Sequence, residues 1–221
     1  MIRAVMFDFG GVISSSPFEA FAHLEAEQGL PADFIRTVNA TNPDTNAWAK
    51  LERGEVDVET FGSLWSVEAR ALGRDLDGRL VLERLGGEIR PQMVAAIRAC
   101  GTVYKTACLT NNFVRAEAVL SVEVADVYAL FDAVLESRVL GVRKPDPRFY
   151  HLACEALGVK ADECVFLDDL GVNLKPARAL GMHTIKVTDP DAAITELEGV
   201  LGISLKGQDP GPPKSSSKDS G

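Results

Sequence analysis

The sequence predicts an α/β fold: a doubly wound parallel sheet with an all-helical insertion after its first strand. Three observations predict it. Five short runs, "IRAVMFD", "TVYKTACLT", "FDAVLES", "CVFLD" and "HTIKVTD", are apolar through most of their length instead of alternating, as strands covered on both faces are. Helical patterns stand between most of them, and strand and helix in alternation imply parallel pairing with right-handed crossovers. From about Pro17 to Leu85, in contrast, only helical patterns occur.

Taken in order, the first strand ends at Asp8 and turns through Gly10 and Gly11. The insertion follows, with "FEAFAHLEAEQG", "DFIRTVNAT" and "VETFGSLWSVEARALG" as helices. Asp57 is placed to cap the helix carrying Phe61, Leu64 and Trp65, better than Thr60 is. An all-helical insert beside the end of the first strand reads as a lid over the strand ends; the alternative is an elaboration packed on the side of the sheet. Later helices are expected over "PQMVAAIRAC", "FVRAEAVLSVEVADVYALF", "PRFYHLACEALG" and "NLKPARALG". Pro91 and Pro147 stand in first turns, and Gly158 and Gly181 follow last ones. The expected division is a core over 1–16 and 88–205, a helical cap over 17–87, and a disordered tail over 206–221, whose Gly, Pro, Ser and Lys have little to bury.

The 221 residues suffice for one good core plus a smaller unit. A net charge of −9 and a pI near 4.9 argue against binding a nucleic-acid backbone, while leaving room for a small anion neutralised locally. Cys100, Cys108, Cys154 and Cys164 have no Cys-x-x-Cys spacing, and three lie in apolar segments, as reduced structural thiols do in a cytoplasmic protein. Asp8 and two glycines interrupt the apolar start, so no signal-peptide pattern is read there, and no apolar run approaches the roughly 20 residues of a membrane span. No membrane partner is expected.

In open α/β sheets ligands bind beyond the carboxyl ends of the strands. There the sequence gathers Asp8, then Thr110 and Asn111 from "LTNN", Lys144 from "GVRKPDP", and Asp168, Asp169 and Asn173 from "FLDDLGVN". Three aspartates at one mouth repel each other unless a cation lies among them, and magnesium suits an all-oxygen set. Thr110 and Asn111, at a helix start, offer a hydroxyl, an amide and backbone N–H groups to a phosphate oxygen. Lys144 precedes Pro145 and is biased to extended backbone, where its ammonium can neutralise Asp8 and a phosphate together. Each element has a plainer reading by itself: Asp168 and Asp169 as a helix cap, Thr-Asn as an N-cap signal.

The stretches "GVRKPDPRFY" and "VFLDDLGVNLKPARALGMHTIKV", following "DFGGV", resemble the haloacid dehalogenase (HAD) superfamily of aspartate-nucleophile hydrolases. The second half is similar to the N-terminal phosphatase domain of soluble epoxide hydrolase, and to the domain fused at the front of certain acyl-CoA dehydrogenase family proteins. The likeness runs from Met1 to about Leu205. It implies a Rossmann-like core under a cap that closes over a small phosphorylated substrate. It further implies Asp8 as the nucleophile and Lys144 as its charge partner. Thr110 and Asn111 would hold the phosphoryl oxygens. Asp8, the Gly10 carbonyl and Asp169, with Asp168 nearby, would hold Mg²⁺, and Asn173 would brace the loop.

One residue departs from the pattern. The family's phosphatases generally carry an aspartate two residues after the nucleophile, as acid and then base, and here that residue is Gly10. Positioned acid–base catalysis is typically worth ~10²- to 10⁴-fold. The expected function is therefore a magnesium-dependent, slow phosphatase, with a phospho-ligand-binding module as the alternative and a metal-independent 2-haloacid dehalogenase as the third reading. His23 and Glu52, in the insertion, are weak candidates to carry the missing proton. Trp48 and Trp65 could line a pocket, though aromatics at helical spacing are more often core. His151 and His183 read as structural or surface residues, and Arg143 as a cation near an anion with no matched role.

Overall fold

The computed structural model describes residues 1–112 and 121–205. Five strands form one sheet, β1 (Ala4–Phe7), β2 (Lys105–Thr110), β3 (Ala133–Glu136), β4 (Cys164–Asp168) and β5 (His183–Lys186). Their order is β3-β2-β1-β4-β5 and every pair is parallel. The chain winds outward from β1 in one direction through β2 and β3, then returns to place β4 and β5 on the other side. The crevice where the order reverses therefore opens beyond the carboxyl ends of β1 and β4.

Alternate residues of each strand face opposite layers, which is why the strands are apolar throughout. Val5, Phe7, Cys108, Val165 and Leu167 pack on α6 (Pro91–Cys100) and α11 (Pro190–Leu201), through Met93, Ile97, Ile194 and Leu197. Ala4, Met6, Ala107, Leu109 and Phe166 face α9 (Pro147–Leu157) and α10 (Gly171–Ala179), through Phe149, Tyr150, Ala153, Leu174 and Ala177. Pro91 and Pro147 each open their helix, and Gly158 ends α9 in the left-handed conformation. All four cysteines are buried free thiols.

Between β1 and α6 lie five helices: α1 (Pro17–Glu27), α2 (Phe34–Ala40), α3 (Ala47–Glu52), α4 (Val58–Ala71) and α5 (Gly78–Glu83). They bury a cluster of their own, including Phe21, Leu24, Ile35, Leu51, Phe61, Trp65 and Leu82. Asp57 caps α4 by accepting the Thr60 N–H at 2.8 Å. The chain enters and leaves this region through two antiparallel neighbours, with Ser15 N–H donating to Glu88 O at 2.9 Å and Arg90 N–H to Ile13 O at 2.8 Å. The helix expected over 113–131 is α7 (Val122–Tyr128) in its described part. Ser121 starts it, taking the Val124 N–H at 3.3 Å from an extended backbone, so no single helix runs through that position. Residues 113–120 and the tail from 206 lie outside the described residues. Among those described, no helix is long and apolar enough to cross a membrane.

Candidate active site

The sheet register assembles the site. Phe7 pairs with Leu167, and the Asp8 N–H continues the ladder to Leu167 O at 2.9 Å. Asp8 and Asp168 are thereby delivered side by side at the mouth. Phe7 also pairs with Cys108, so Thr110 ends β2 on the other flank of Asp8, buried.

Lys144 arrives from the loop between α8 (Ser137–Leu140) and α9, and its ammonium lies 2.8 Å from both Asp8 Oδ1 and Asp168 Oδ2. It is only 1% exposed, and these two carboxylates are the ones in direct contact to balance its charge. Asp168 is fully occupied: Oδ1 accepts the Leu170 N–H at 2.8 Å, and Asn173 Nδ2 donates to both oxygens at 3.0 Å. Asp8 Oδ1 also accepts the Phe9 N–H at 2.6 Å, leaving Oδ2 as its outward atom among the described residues. Asp169 turns toward the Gly11 backbone. A Cβ there would come 2.3 Å from Asp169 Oδ2, and Gly11 has φ +78, so the position requires glycine twice over. Gly10, in contrast, has open space around the place of a Cβ.

Oxygens of Asp8, Asp168 and Asp169 fall within 4.8 Å of one another. Burial pushes the Asp8 carboxyl well above its ordinary range, opposed by Lys144 and reinforced by Asp168. Burial and then Asp168 push Asp169 up to about 6. Burial would pull Lys144 down, but Asp168 and Asp8 together outweigh it and raise it. Three carboxylates against one ammonium leave a surplus of negative charge at the mouth. That all-oxygen set fits a hard divalent cation.

The structure also shows what the other singled-out residues do. The Asn111 amide clamps the Lys144 peptide: Oδ1 accepts the Lys144 N–H at 2.9 Å and Nδ2 donates to its carbonyl at 3.0 Å. Glu52 is buried; it accepts from the Trp48 indole at 2.8 Å and from the Asn111 amide at 3.3 Å, and forms an ion pair with the Arg143 guanidinium at 2.8 Å. Burial nevertheless raises the Glu52 carboxyl above its ordinary range, opposed by Arg143, the Trp48 indole and Lys144. His23, His151 and His183 are exposed. Trp65 is wholly buried in the insertion with its indole donating to Asn39 Oδ1 at 2.8 Å, and Trp48 is half-buried. Two residues escaped the sequence reading. Arg90 Nη1 donates to Gly11 O at 2.7 Å, bracing the turn after Asp8, and Ser137 donates to Glu52 O at 2.6 Å. Arg90 stands directly before the helix-opening Pro91, where an arginine carries no motif, and a lone serine gives no signal at all.

A doubly wound sheet here presents a buried aspartate, a lysine bound to it and two further aspartates at the strand-order switch, where folds of this class bind their ligands. The family profile of haloacid dehalogenase-like hydrolases matches residues 2–181, and the chain belongs to that family. It is 37% identical over 213 residues to acyl-CoA dehydrogenase family member 10 of Mus musculus, covering 92% of this chain and 19% of that protein. It is 30% identical over 225 residues to phosphatase MT3486 of Mycobacterium tuberculosis, covering 95% of this chain and 99% of that one. A HAD-like family hydrolase from Porphyromonas gingivalis superposes with a TM-score of 0.66 at 23% identity, over 94% of this chain and all of that one. This chain thus spans about a fifth of the mouse relative.

Proposed function

We propose that this hydrolase is a magnesium-dependent phosphatase acting on a small phosphorylated metabolite through an aspartyl-phosphate on Asp8. The observation that carries the reading is the Lys144 ammonium, 2.8 Å from Asp8 and from Asp168 within a cluster of three aspartates. A phosphatase relative of matching length supports it.

The chemistry needs that arrangement. A phosphate monoester brings negative charge toward a carboxylate, and two unit charges 4 Å apart cost roughly 4 kcal/mol at an effective dielectric of 20, about three decades of rate. Lys144 offsets part of this and fixes Asp8 through Oδ1, so that Oδ2 is the attacking atom. Asp8 and Asp169, with the Gly10 carbonyl, would hold magnesium, while Asp168 anchors Lys144. The metal would supply the remaining neutralisation. Thr110 and the backbone of Asn111 would receive the phosphoryl oxygens. Attack on phosphorus releases the alcohol oxygen, and water then attacks phosphorus to free phosphate and restore Asp8. The helices over 17–87 would act as the cap that admits substrate. Four buried free thiols suit the reducing cytoplasm.

Gly10 leaves the departing oxygen to be protonated by solvent, so good leaving groups should be favoured. The test uses p-nitrophenyl phosphate, acetyl phosphate and an alkyl phosphate, with and without magnesium. Wild type should hydrolyse the first two only with magnesium, and Asp8→Asn should be inactive. Gly10→Asp, whose side chain has room, should gain mainly on the alkyl phosphate. Full turnover in Asp8→Asn removes the nucleophile assignment. Vanadate binding without hydrolysis would make the chain a phospho-ligand-binding module, and metal-independent halide release from a 2-haloacid a dehalogenase.

A further inference from the structure

The two buried ends of Glu52 lead in different directions. Its indole partner, Trp48, belongs to the insertion; its other partners, Arg143 and Asn111, belong to the α/β core. Glu52 is 6% exposed, so the contact is largely shielded from solvent. Its backbone is tied as well: Glu52 O accepts from Ser137 Oγ at 2.6 Å, and Ser137 Oγ in turn accepts the Asn112 N–H at 3.1 Å. The last residue of α3 is therefore fastened to both loops that flank the mouth, the one after β2 and the one carrying Lys144.

The side chain reaches Lys144 by two routes. Asn111, on which Glu52 rests, grips the Lys144 peptide with both ends of its amide. Arg143, paired with Glu52, donates its Nε to the Lys144 carbonyl at 3.2 Å. A lysine whose peptide is held in this way, and whose stem is buried, has its ammonium position set from the backbone.

We propose that Glu52 is a positioning residue: seated by the insertion, it locks Asn111 and Arg143 so that the Lys144 ammonium stays between Asp8 and Asp168. Catalytic competence of the core then depends on the seating of the helical insert, and opening the insert at α3 would loosen the lysine before any substrate contact changed. The inference rests on the reading that Lys144 serves the Asp8 reaction; the coupling itself is independent of which ester is hydrolysed.

Glu52→Gln is the direct test. One end of the new amide must present N–H groups to donors, either the Trp48 indole or the Arg143 and Asn111 pair, so the lock cannot close on both sides. In protein shown to be folded by circular dichroism, kcat on p-nitrophenyl phosphate should fall about ten- to hundredfold, the size of effect small misplacements produce, with KM changed far less. Exchange of the Lys144 amide, read by hydrogen–deuterium exchange, should accelerate about tenfold or more while β4 stays protected. Should Glu52→Gln not fold, Arg143→Lys keeps the charge but loses the Nε contact and should shift both readouts the same way by several-fold. Unchanged kcat per folded molecule together with unchanged Lys144 exchange in the variant that folds would overturn the proposal. A wild type without phosphatase activity would instead overturn the proposed function, and the exchange measurement would still decide the coupling.

Discussion

The mouth of the sheet and the helical insertion both bury polar side chains, but on opposite terms. In the insertion, Glu25 accepts the N–H groups of Asp33 and Ile35, and Asn46 accepts from Ala49 while donating to Asn39 and Thr41. Each satisfies backbone at most ten residues away, so these contacts form as soon as the local helices do. At the mouth, Asp8 meets Lys144 from across most of the chain, and Asp168 meets it from the far side of α9. Those charges have no value to one another until the sheet has closed. These polar contacts of the insertion thus stay within it, as does the one joining Trp65 to Asn39, whereas the site is a product of sheet topology; Glu52 is where the two meet.

That contrast can be broken from either side. The largest effect is expected from Lys144→Met, which leaves Asp8 and Asp168 facing each other without a counter-charge. Urea unfolding should show a loss of about 3–5 kcal/mol, with turnover abolished. A loss below about 1 kcal/mol would mean that the ion pairs do not hold the mouth together. Gly11→Ala comes next. A side chain at φ +78 costs about 1–2 kcal/mol, and the Cβ must displace the Asp169 carboxylate. Calorimetric titration should show Mg²⁺ binding weakened about tenfold or more, and unaltered affinity would remove Asp169 from the metal set.

A third test uses pH. Burial and Asp168 push the Asp169 carboxyl up to about 6 in the folded protein, against about 3.9 when unfolded. Its folded form holds the proton more tightly, so metal-free stability should fall as pH rises through that window. Between pH 5 and 7.5 the loss from Asp169 is about 1–2 kcal/mol, and Asp8, raised by burial, adds in the same direction. Surface carboxylates such as Glu55 and Asp146 are lowered by their arginine partners and act oppositely, but below that range. Urea midpoints in EDTA at the two pH values should show the fall, and magnesium should reverse it at pH 7.5. A flat EDTA profile would contradict the electrostatic account of the cluster. The smallest effect on activity is expected from Trp65→Phe in the insertion, which keeps a buried aromatic ring but gives up the bond to Asn39 and part of the indole's volume. About 1–3 kcal/mol of stability should go, with kcat within about twofold. A collapse of activity there would show that the insertion's interior is as tightly coupled to the site as Glu52.

Much of this was legible beforehand. The five strands were visible because burial on both faces leaves continuous apolar runs, and Asp57 was visible as a cap because the bond it makes is three residues long. The chemistry-bearing residues were readable as types at strand ends. Their partners were less so. Glu52, a weak candidate for the missing proton, meets Trp48, Arg143 and Asn111; Arg143, with no matched role in the sequence, is its ion-pair partner; and the Asn111 amide, expected at phosphate, grips the Lys144 peptide. Apart from Trp48 and Glu52, four residues apart on one helix, these pairings join segments separated by 33 to 91 positions and so have no sequence period.

The sequence by itself determined the layered α/β plan, the place of the helical insertion and the set of acids and the lysine available for chemistry, because periodicity and turn residues act over a few positions. Only the tertiary structure decided which oxygen of Asp8 faces outward, that Asp168 is committed to Lys144 while Asp169 lies against the Gly11 turn, and that Glu52 bolts the insertion to the lysine loop. Those choices depend on strand order and register, which bring remote residues within hydrogen-bonding distance and remove the water that would otherwise screen them.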